Sequence, residues 1–71
     1  MENNQLGNRI RAYRKLKGWT QADFARELGV SLSMVGEWER GHRVISAHDI
    51  KRICAVLGVS SSELSGTIKN K

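Results

Sequence analysis

Residues 20–39, with the sequence TQADFARELGVSLSMVGEWE, decide the fold of this chain. Thr20 can cap the start of a helix, and Asp23 stands where a capping box has its acidic residue. The apolar residues that follow fall on one helical face: Phe24, Ala25 and Leu28. Gly29 readily takes the left-handed conformation that ends a helix, and Ser31 can cap a second helix. The stretch therefore predicts two short helices joined by a tight turn.

The second of these helices has two unlike faces when its residues are placed about 100° apart. One face carries small or polar residues and a single leucine: Leu32, Ser33, Gly36, Glu37 and Arg40. The bulky apolar face contains Met34, Val35 and Trp38. Many amphipathic surface helices have this pattern, but here the helix follows a short helix and a Gly-Val-Ser turn. That context favours a helix-turn-helix motif.

A longer helix is predicted before this stretch, over about residues 4–17, and Gly18 ends it. Apolar residues repeat along its core-facing side at Leu6, Ile10, Tyr13 and Leu16. Its other side carries the cations Arg9, Arg11, Arg14, Lys15 and Lys17. This segment is helix one, so the stretch at residues 20–39 supplies helices two and three.

Two further helices are predicted after the stretch. Residues 46–49 have the pattern of a capping box, and helix four runs from there to about Leu57. Its inward residues are Ile50, Ile53, Cys54 and Leu57, and its outer cations are Lys51 and Arg52. Residues 60–63 cap a short helix five that Leu64 anchors. Residues 65–71 are small, polar and basic, so they are predicted to form a flexible tail.

The composition limits what the chain can be. With 71 residues, of which 39% are hydrophobic, we predict a single domain over residues 1–71 with one small core. The net charge of +5 and the isoelectric point near 10.0 suit a polyanionic partner, although many small proteins are basic for solubility alone. The one cysteine, Cys54, excludes an internal disulfide and fits a reducing compartment.

Several classes of protein are not expected. No apolar run approaches the ~20 residues of a membrane span, and the N-terminal residues lack the apolar region of a signal peptide. We therefore expect a cytoplasmic protein with no membrane contact. His42 and His48 belong to no cluster of cysteine and histidine at metal-binding spacing, and no serine has a catalytic set of partners. The sequence thus predicts no enzyme activity, no metal and no cofactor.

Five short motifs occur along the chain, and the spacing between them is more specific than any one motif: RIR at residues 9–11, KGWTQ at 17–21, LGVS at 28–31, WERG at 38–41 and LGVS again at 57–60. With these motifs, residues 6–64 resemble the lambda-repressor/Cro-like helix-turn-helix (XRE-type) family of DNA-binding proteins. The resemblance implies an all-α, compact five-helix, lambda-repressor-like domain. Helices two and three would form the helix-turn-helix, with residues 31–40 as the recognition helix in the major groove. Ile45 stands where the family often has a proline, so the resemblance does not determine the conformation of the loop after Gly41.

On this resemblance, the exposed front of the recognition helix would read bases through Leu32, Ser33, Gly36 and Glu37. Leu32 suits a thymine methyl group, whereas a serine hydroxyl discriminates weakly because it can donate or accept. Gly36 would allow the helix to approach the groove closely. Glu37 can accept a hydrogen bond from cytosine N4, or it can pair with Arg40 one turn further on.

Phosphate contacts are expected from a second set of residues: Gln21, Arg43 and the backbone near Gly41, with Arg11 and Arg40 as further candidates. The resemblance also implies that Gln21 braces a side chain of the recognition helix. Finally, it implies that Arg14 pairs with Glu39 and so joins helix one to the recognition helix.

We expect sequence-specific binding to double-stranded DNA by a transcriptional regulator, in the first instance a repressor, that binds a near-palindromic operator as a homodimer. Leu64 and Ile68 are the candidates for an apolar dimer surface. Two alternatives stay open. One is an antitoxin-like module that binds a protein partner and DNA secondarily, and the other is non-specific nucleic-acid binding, RNA included.

Overall fold

The structure is a computed structural model that describes residues 2–65 of the chain. These residues form five α-helices and no strand, which confirms the predicted all-helical architecture. The helices are α1 at Glu2–Leu16, α2 at Gln21–Leu28, α3 at Leu32–Arg40, α4 at Ala47–Leu57 and α5 at Ser61–Ser65. α1 starts earlier than the predicted residue 4 and ends one residue before the predicted end. Over the range that the structure describes, no helix is long and apolar enough to cross a membrane.

Side chains at the starts of α2 and α3 bond to backbone N–H groups as the sequence predicted. Thr20 Oγ1 accepts a hydrogen bond from the Asp23 N–H at 3.0 Å, and Asp23 Oδ2 accepts one from the Thr20 N–H at 3.0 Å. The bonds from Thr20, first its backbone N–H and then its hydroxyl, lower the pKa of the Asp23 carboxyl. Ser31 Oγ accepts from the Met34 N–H at 3.1 Å. Local contacts therefore fix where both helices of the motif begin.

The two later helices begin in different ways. At α5, Glu63 Oε1 accepts from the Ser60 N–H at 2.8 Å and Ser60 Oγ accepts from the Glu63 N–H at 3.0 Å, which completes a capping box. At α4, Ser46 Oγ accepts from the Asp49 N–H at 3.1 Å. The Asp49 carboxylate, however, accepts from Arg52 Nη1 at 3.4 Å. The capping box predicted at residues 46–49 is therefore only half formed.

Arg52 does not lie on the outer face of α4, where the sequence predicted it together with Lys51. Its side chain is half buried, and its Nη2 donates to the carbonyl oxygen of Leu28, the last residue of α2. The last carbonyls of a helix have no partner within that helix, so Arg52 satisfies one of them. The bond joins α4 to α2, whereas Lys51 is exposed as predicted.

Two glycines in the left-handed conformation end the helices of the motif. Gly29 has a φ of +75° and Gly41 a φ of +76°, where a side chain would strain the backbone. The Gly41 N–H donates to the Trp38 carbonyl at 3.1 Å, and the His42 N–H donates to the Glu37 carbonyl at 2.8 Å. This pair of bonds is a Schellman motif, which turns the chain back along the end of α3.

One cluster of buried side chains lies between the helices. It contains Ile10, Phe24, Ala25, Leu28, Val35, Trp38, Ile45, Ile53, Cys54, Leu57 and Leu64. Ile45 is buried, so the loop after α3 contributes to the core at the position where a proline is common in the resembled family. Burial, followed by the charge of Glu63, raises the pKa of the Cys54 thiol. Cys54 therefore behaves as the small apolar side chain that was predicted.

Two leucines lie differently from the prediction. Leu64 is fully buried in the core, so it is not available as an exposed dimer surface, and its proposed companion Ile68 lies outside the described residues. Leu16 was assigned to the core-facing side of α1 but is 80% exposed. Over residues 5–16 of α1, the buried residues are Gly7, Ile10 and Arg14. Leu16 lies about 200° around the helix from Arg14, which explains its exposure.

Gly7 sets how closely α1 approaches α3. A Cβ atom added at Gly7 would lie 2.7 Å from the carbonyl oxygen of Glu39 and closer still to that of Trp38. These obstacles are backbone atoms of α3, which no side-chain rotation can move. Only a hydrogen atom fits at this position. The sequence interpretation did not identify Gly7, although a glycine inside a predicted helix often has a packing reason.

We predict that Gly7→Ala destabilises the domain, although the same replacement in an open helix interior gains ~1 kcal/mol. Extra atoms in a close-packed site cost about 1–3 kcal/mol, and the backbone contact here allows little relief. The melting temperature should fall by at least about 4 °C, since 1 kcal/mol corresponds to about 4–8 °C in a domain of this size. Asn8→Ala, at the exposed neighbouring position, is the control and should not lower it. A Gly7→Ala melting temperature at or above that of the wild type would contradict the close contact.

Candidate nucleic-acid interface

α3 turns one side to the core and the other side outward. Its buried side chains are those of Val35, Trp38 and Glu39. We call its other side, formed by Leu32, Ser33, Gly36, Glu37 and Arg40, the recognition face. Leu32 and Ser33 are exposed, and Leu32 is 53% exposed despite being apolar. Glu37 is partly exposed, so three of the four predicted base-reading residues are accessible from outside.

The fourth predicted base-reading residue, Gly36, does not lie open on the recognition face. It is buried, and the atoms over it belong to the Arg40 side chain one turn further on. A Cβ atom added at Gly36 would lie 3.1 Å from Arg40 Nη1. The glycine therefore leaves room for a guanidinium group. The helix backbone at Gly36 is covered, so the expected close approach of this backbone to the groove is not supported.

Glu37 pairs with Arg43 and not with Arg40, which corrects the partner that the sequence suggested. Arg43 Nε donates to Glu37 Oε1 at 2.7 Å, and both side chains remain partly exposed. The Schellman motif at the end of α3 explains this partner. Because the His42 N–H is bonded to the Glu37 carbonyl, the next residue along the loop returns beside Glu37.

The backbone N–H of Gly41 is not a free donor. It is already bonded to the Trp38 carbonyl, and the N–H of His42 is bonded to the Glu37 carbonyl. The N–H groups of Gly41 and His42 are therefore not available to a phosphate, and the expected contact from the backbone near Gly41 stays a prediction for the loop residues that follow. Gly41 instead determines the path of the loop that carries Arg43.

Gln21, the first residue of α2, braces the recognition helix. Its Nε2 donates to Glu39 Oε1 at 3.0 Å. The backbone N–H groups of Gln21 and Ala22 have no acceptor among residues 2–65. Free N–H groups at a helix start favour a bound anion. Gln21 thus links a candidate anion site to α3.

Arg14 and Glu39 form a buried ion pair with two bonds between them. Arg14 Nε donates to Glu39 Oε2 at 2.6 Å and Arg14 Nη2 donates to Glu39 Oε1 at 3.0 Å. The side chains are only 7% and 3% exposed. The third nitrogen, Nη1, donates to the Trp19 carbonyl at 2.7 Å. This is the pair that the resemblance implied, and with Gln21 it connects α1, α2 and α3.

Two of the predicted phosphate contacts are exposed cations with no carboxylate beside them. Arg11 on α1 and Arg40 on α3 have no ion-pair partner in the described part of the chain. Over the same residues, no three or more side chains of histidine, cysteine, aspartate or glutamate cluster so that they could hold a metal ion. Arg11 and Arg40 therefore add unpaired positive charge to a surface that also presents the apolar Leu32 and the Glu37 carboxylate.

Comparison with known proteins gives one consistent result. A family model described as Helix-turn-helix, HTH_3, matches residues 10–64. The chain is 52% identical over 65 residues to the HTH-type transcriptional regulator YazB of Bacillus subtilis (strain 168), a match that covers 92% of this chain and 94% of YazB. Among solved structures, it is similar to the restriction-modification controller protein C.AhdI from Aeromonas hydrophila. That similarity has a TM-score of 0.82 and 34% identity, and it covers 87% of this chain and 94% of C.AhdI.

A further similarity is to a protein with a different role, an antitoxin. The chain is 33% identical over 64 residues to the antitoxin PezA of Streptococcus pneumoniae serotype 4 (strain ATCC BAA-334 / TIGR4). The match covers 90% of this chain but only 40% of PezA. The likeness to PezA is therefore a likeness to less than half of that protein.

We predict that Arg14→Ala strongly destabilises the domain, because it leaves the Glu39 carboxylate buried without its cation. Removing one partner of a buried pair costs about 3–5 kcal/mol. A domain of this size has a total stability of roughly 4–10 kcal/mol, so much of it would be lost. Arg14→Lys should lose less, because it keeps the charge but cannot form two parallel bonds. Arg11→Ala, an exposed position one turn earlier, is the control in thermal melting. Equal melting temperatures for Arg14→Ala and Arg11→Ala would show that the pair does not stabilise the fold.

Proposed function

The chain belongs to the helix-turn-helix family HTH_3 of DNA-binding transcriptional regulators (XRE type), and we propose that it represses transcription by binding a near-palindromic operator as a homodimer. The observation that carries this proposal is the recognition face, which α3 turns outward while its other side is held by the core and by Arg14. The major groove of DNA is about 12 Å wide and admits one α-helix. A rigidly held helix can therefore present its exposed side chains to base edges there.

Three side chains of the recognition face are proposed to contact bases. Leu32 is apolar and exposed, and the methyl group of thymine is the apolar feature of the major groove. Ser33 lies beside it and can donate or accept a hydrogen bond. Glu37 can accept from the N4 amino group of cytosine. Leu32 and Glu37 thus supply the stronger preferences, and Ser33 adds a weak one.

Arg43 is proposed to serve Glu37 and a phosphate together. Its Nε is used by the Glu37 carboxylate, which leaves the N–H groups on both terminal nitrogens available. A carboxylate that faces polyanionic DNA is unfavourable unless a cation accompanies it. Arg43 supplies that cation and can hold a backbone phosphate with its remaining donors. Base reading by Glu37 would then depend on the loop after α3.

The other phosphate contacts are proposed at the start of α2 and on α1. Gln21 has one amide hydrogen bonded to Glu39, so a second amide hydrogen and the backbone N–H of Gln21 and Ala22 remain for a phosphate. Arg11 adds an exposed cation. These contacts position the protein but carry no sequence information. Together with the net charge of +5, they predict a strong dependence of affinity on salt.

We propose the homodimer and the repressor role from the small size of the domain. A single recognition helix covers only a few base pairs, and a two-fold dimer doubles the site and explains a near-palindrome. A small domain bound over a promoter can block transcription by occupancy alone. We place this activity in the cytoplasm, with the DNA that the protein binds.

A second candidate function is favoured by the similarity to the antitoxin PezA. In that case the chain would bind a protein partner and bind DNA secondarily. A stable complex with one co-expressed protein, together with weak operator binding by the chain alone, would favour this function over the first.

The proposed function is tested by selecting binding sites from random duplex DNA and then measuring affinity over a range of salt concentrations. Selected sites should contain two half-sites roughly 10 bp apart, related by two-fold symmetry. They should bind at least ~1,000-fold more tightly than a scrambled duplex, and affinity for both should fall steeply with salt. Equal affinity for selected and scrambled duplexes at matched salt would indicate non-specific binding. A single asymmetric half-site at saturating protein would exclude the dimer.

We predict that Glu37→Gln loses discrimination at one base-pair position by about 1–3 kcal/mol, because cytosine N4 no longer meets a carboxylate. Affinity for scrambled DNA should rise slightly, since one negative charge is gone. Glu27→Gln, at an exposed position of α2, removes the same charge and should leave the preference order of operator variants unchanged. Measurement of all single-base operator variants at one salt concentration decides the matter. An unchanged order with Glu37→Gln would remove Glu37 from the base-reading residues.

A further inference from the structure

We propose that Arg40 reads a guanine base in the major groove and that Gly36 positions it for this task. The inference rests on the proposed function and assigns one specificity-determining contact within it. The sequence suggested a phosphate contact for Arg40 and close groove approach for Gly36. The geometry of the two residues favours a joint role.

The Arg40 guanidinium lies against Gly36. A Cβ atom added at Gly36 would lie 3.1 Å from Nη1, 3.7 Å from Cζ and 3.7 Å from Nη2 of Arg40. Three atoms of the planar group are therefore close to one point on the surface of α3. The side chain folds back by one helical turn and does not extend past the end of the helix.

This position is the middle of the recognition face. On an α-helix, Gly36 is adjacent to Ser33 and Arg40, which are three and four residues away, and next to Glu37 in sequence. The guanidinium thus lies between side chains that are proposed to contact bases. Phosphates border the groove, whereas a group at the middle of an inserted helix faces the base edges. The position favours a base over a phosphate.

The charge of Arg40 is also unused. Glu37, the nearest carboxylate along the helix, is occupied by Arg43 at 2.7 Å. Glu39 is occupied by Arg14 and Gln21. Among the described residues, Arg40 has neither an ion pair nor a hydrogen-bond acceptor for its guanidinium. Five donors in a rigid plane are therefore available.

Guanine is the base that matches such a group. Its O6 and N7 atoms are both acceptors on the major-groove edge, and a guanidinium binds them with two parallel hydrogen bonds. Adenine and cytosine each present an amino donor there, which an arginine has no acceptor to meet. Arg40 is thus expected to prefer a G·C pair at one operator position.

Gly36 acts through Arg40. Glycine inside a helix is less favourable than alanine, so a specific contact is needed to explain its presence at this position. A methyl group at residue 36 would be tighter against Nη1 than nine in ten side-chain contacts, so the guanidinium would have to shift by a few tenths of an ångström. Gly36 is therefore a positioning residue, and the base contact belongs to Arg40.

The test compares the wild type with Arg40→Lys, Gly36→Ala and the double variant, on the selected operator, on all its single-base variants and on a scrambled duplex at one salt concentration. Arg40→Lys keeps the charge but loses the planar pair of donors. It should lose roughly 10- to 100-fold of discrimination at one G·C position and bind the scrambled duplex as the wild type does. Gly36→Ala should lose discrimination at the same position, and the double variant should lose no more than Arg40→Lys alone.

Arg11→Ala is the matched control for a phosphate contact, because it should weaken binding to every duplex by the same factor. Thermal melting verifies that each variant is folded. Arg40→Lys with every base preference retained would overturn the inference and leave the proposed function intact. Loss at an A·T position, or additive effects of the two substitutions, would overturn it as well. A wild type that discriminates at no position would overturn the proposed function and this inference with it.

Discussion

A buried pair of opposite charges fixes the geometry on which the rest of this domain depends. Arg14 and Glu39 are almost wholly removed from water, and the cost of that removal exceeds their attraction unless the remaining donors and acceptors are satisfied. Here the carbonyl of Trp19 and the amide of Gln21 complete the set. Any other packing of α3 would leave these charges unpaired in an apolar interior. The pair therefore selects one position of the recognition helix more than it adds to stability.

The second constraint on α3 is steric. Gly7 lies two turns before Arg14 on the same face of α1, and both residues contact the last turn of α3. One contact is made by backbone against backbone, and the other by a guanidinium against a carboxylate. The first sets the distance between the helices, and the second sets their rotation. The side chains that face outward are consequently carried by a helix with little freedom to shift.

Features that depend on four or fewer residues followed from the sequence, because helix starts and ends are made by neighbours in the chain. The capping box at Asp23 and the left-handed Gly29 are examples. One local feature failed, because Arg52 takes the Asp49 carboxylate and leaves the capping box of α4 half formed. The other failures concern contacts between segments further apart along the chain. Arg52 bonds a carbonyl 24 residues earlier, and the partner of Glu37 depends on the path of the loop. The exposure of Leu16 depends on how far α1 is rotated against the core. The spacing of apolar residues defines that rotation only to within a residue or two.

The pairing of Glu37 with Arg43 also bears on how fast the domain can find DNA. Encounter rates of oppositely charged molecules depend on the field that each presents before contact. A bare carboxylate on the approaching face would slow the encounter, but here the compensating charge is in place before DNA arrives. No side chain has to be recruited in the crowded groove, so the barrier to docking stays low. The acid that we propose as a base-reading residue therefore does not slow the first encounter with DNA.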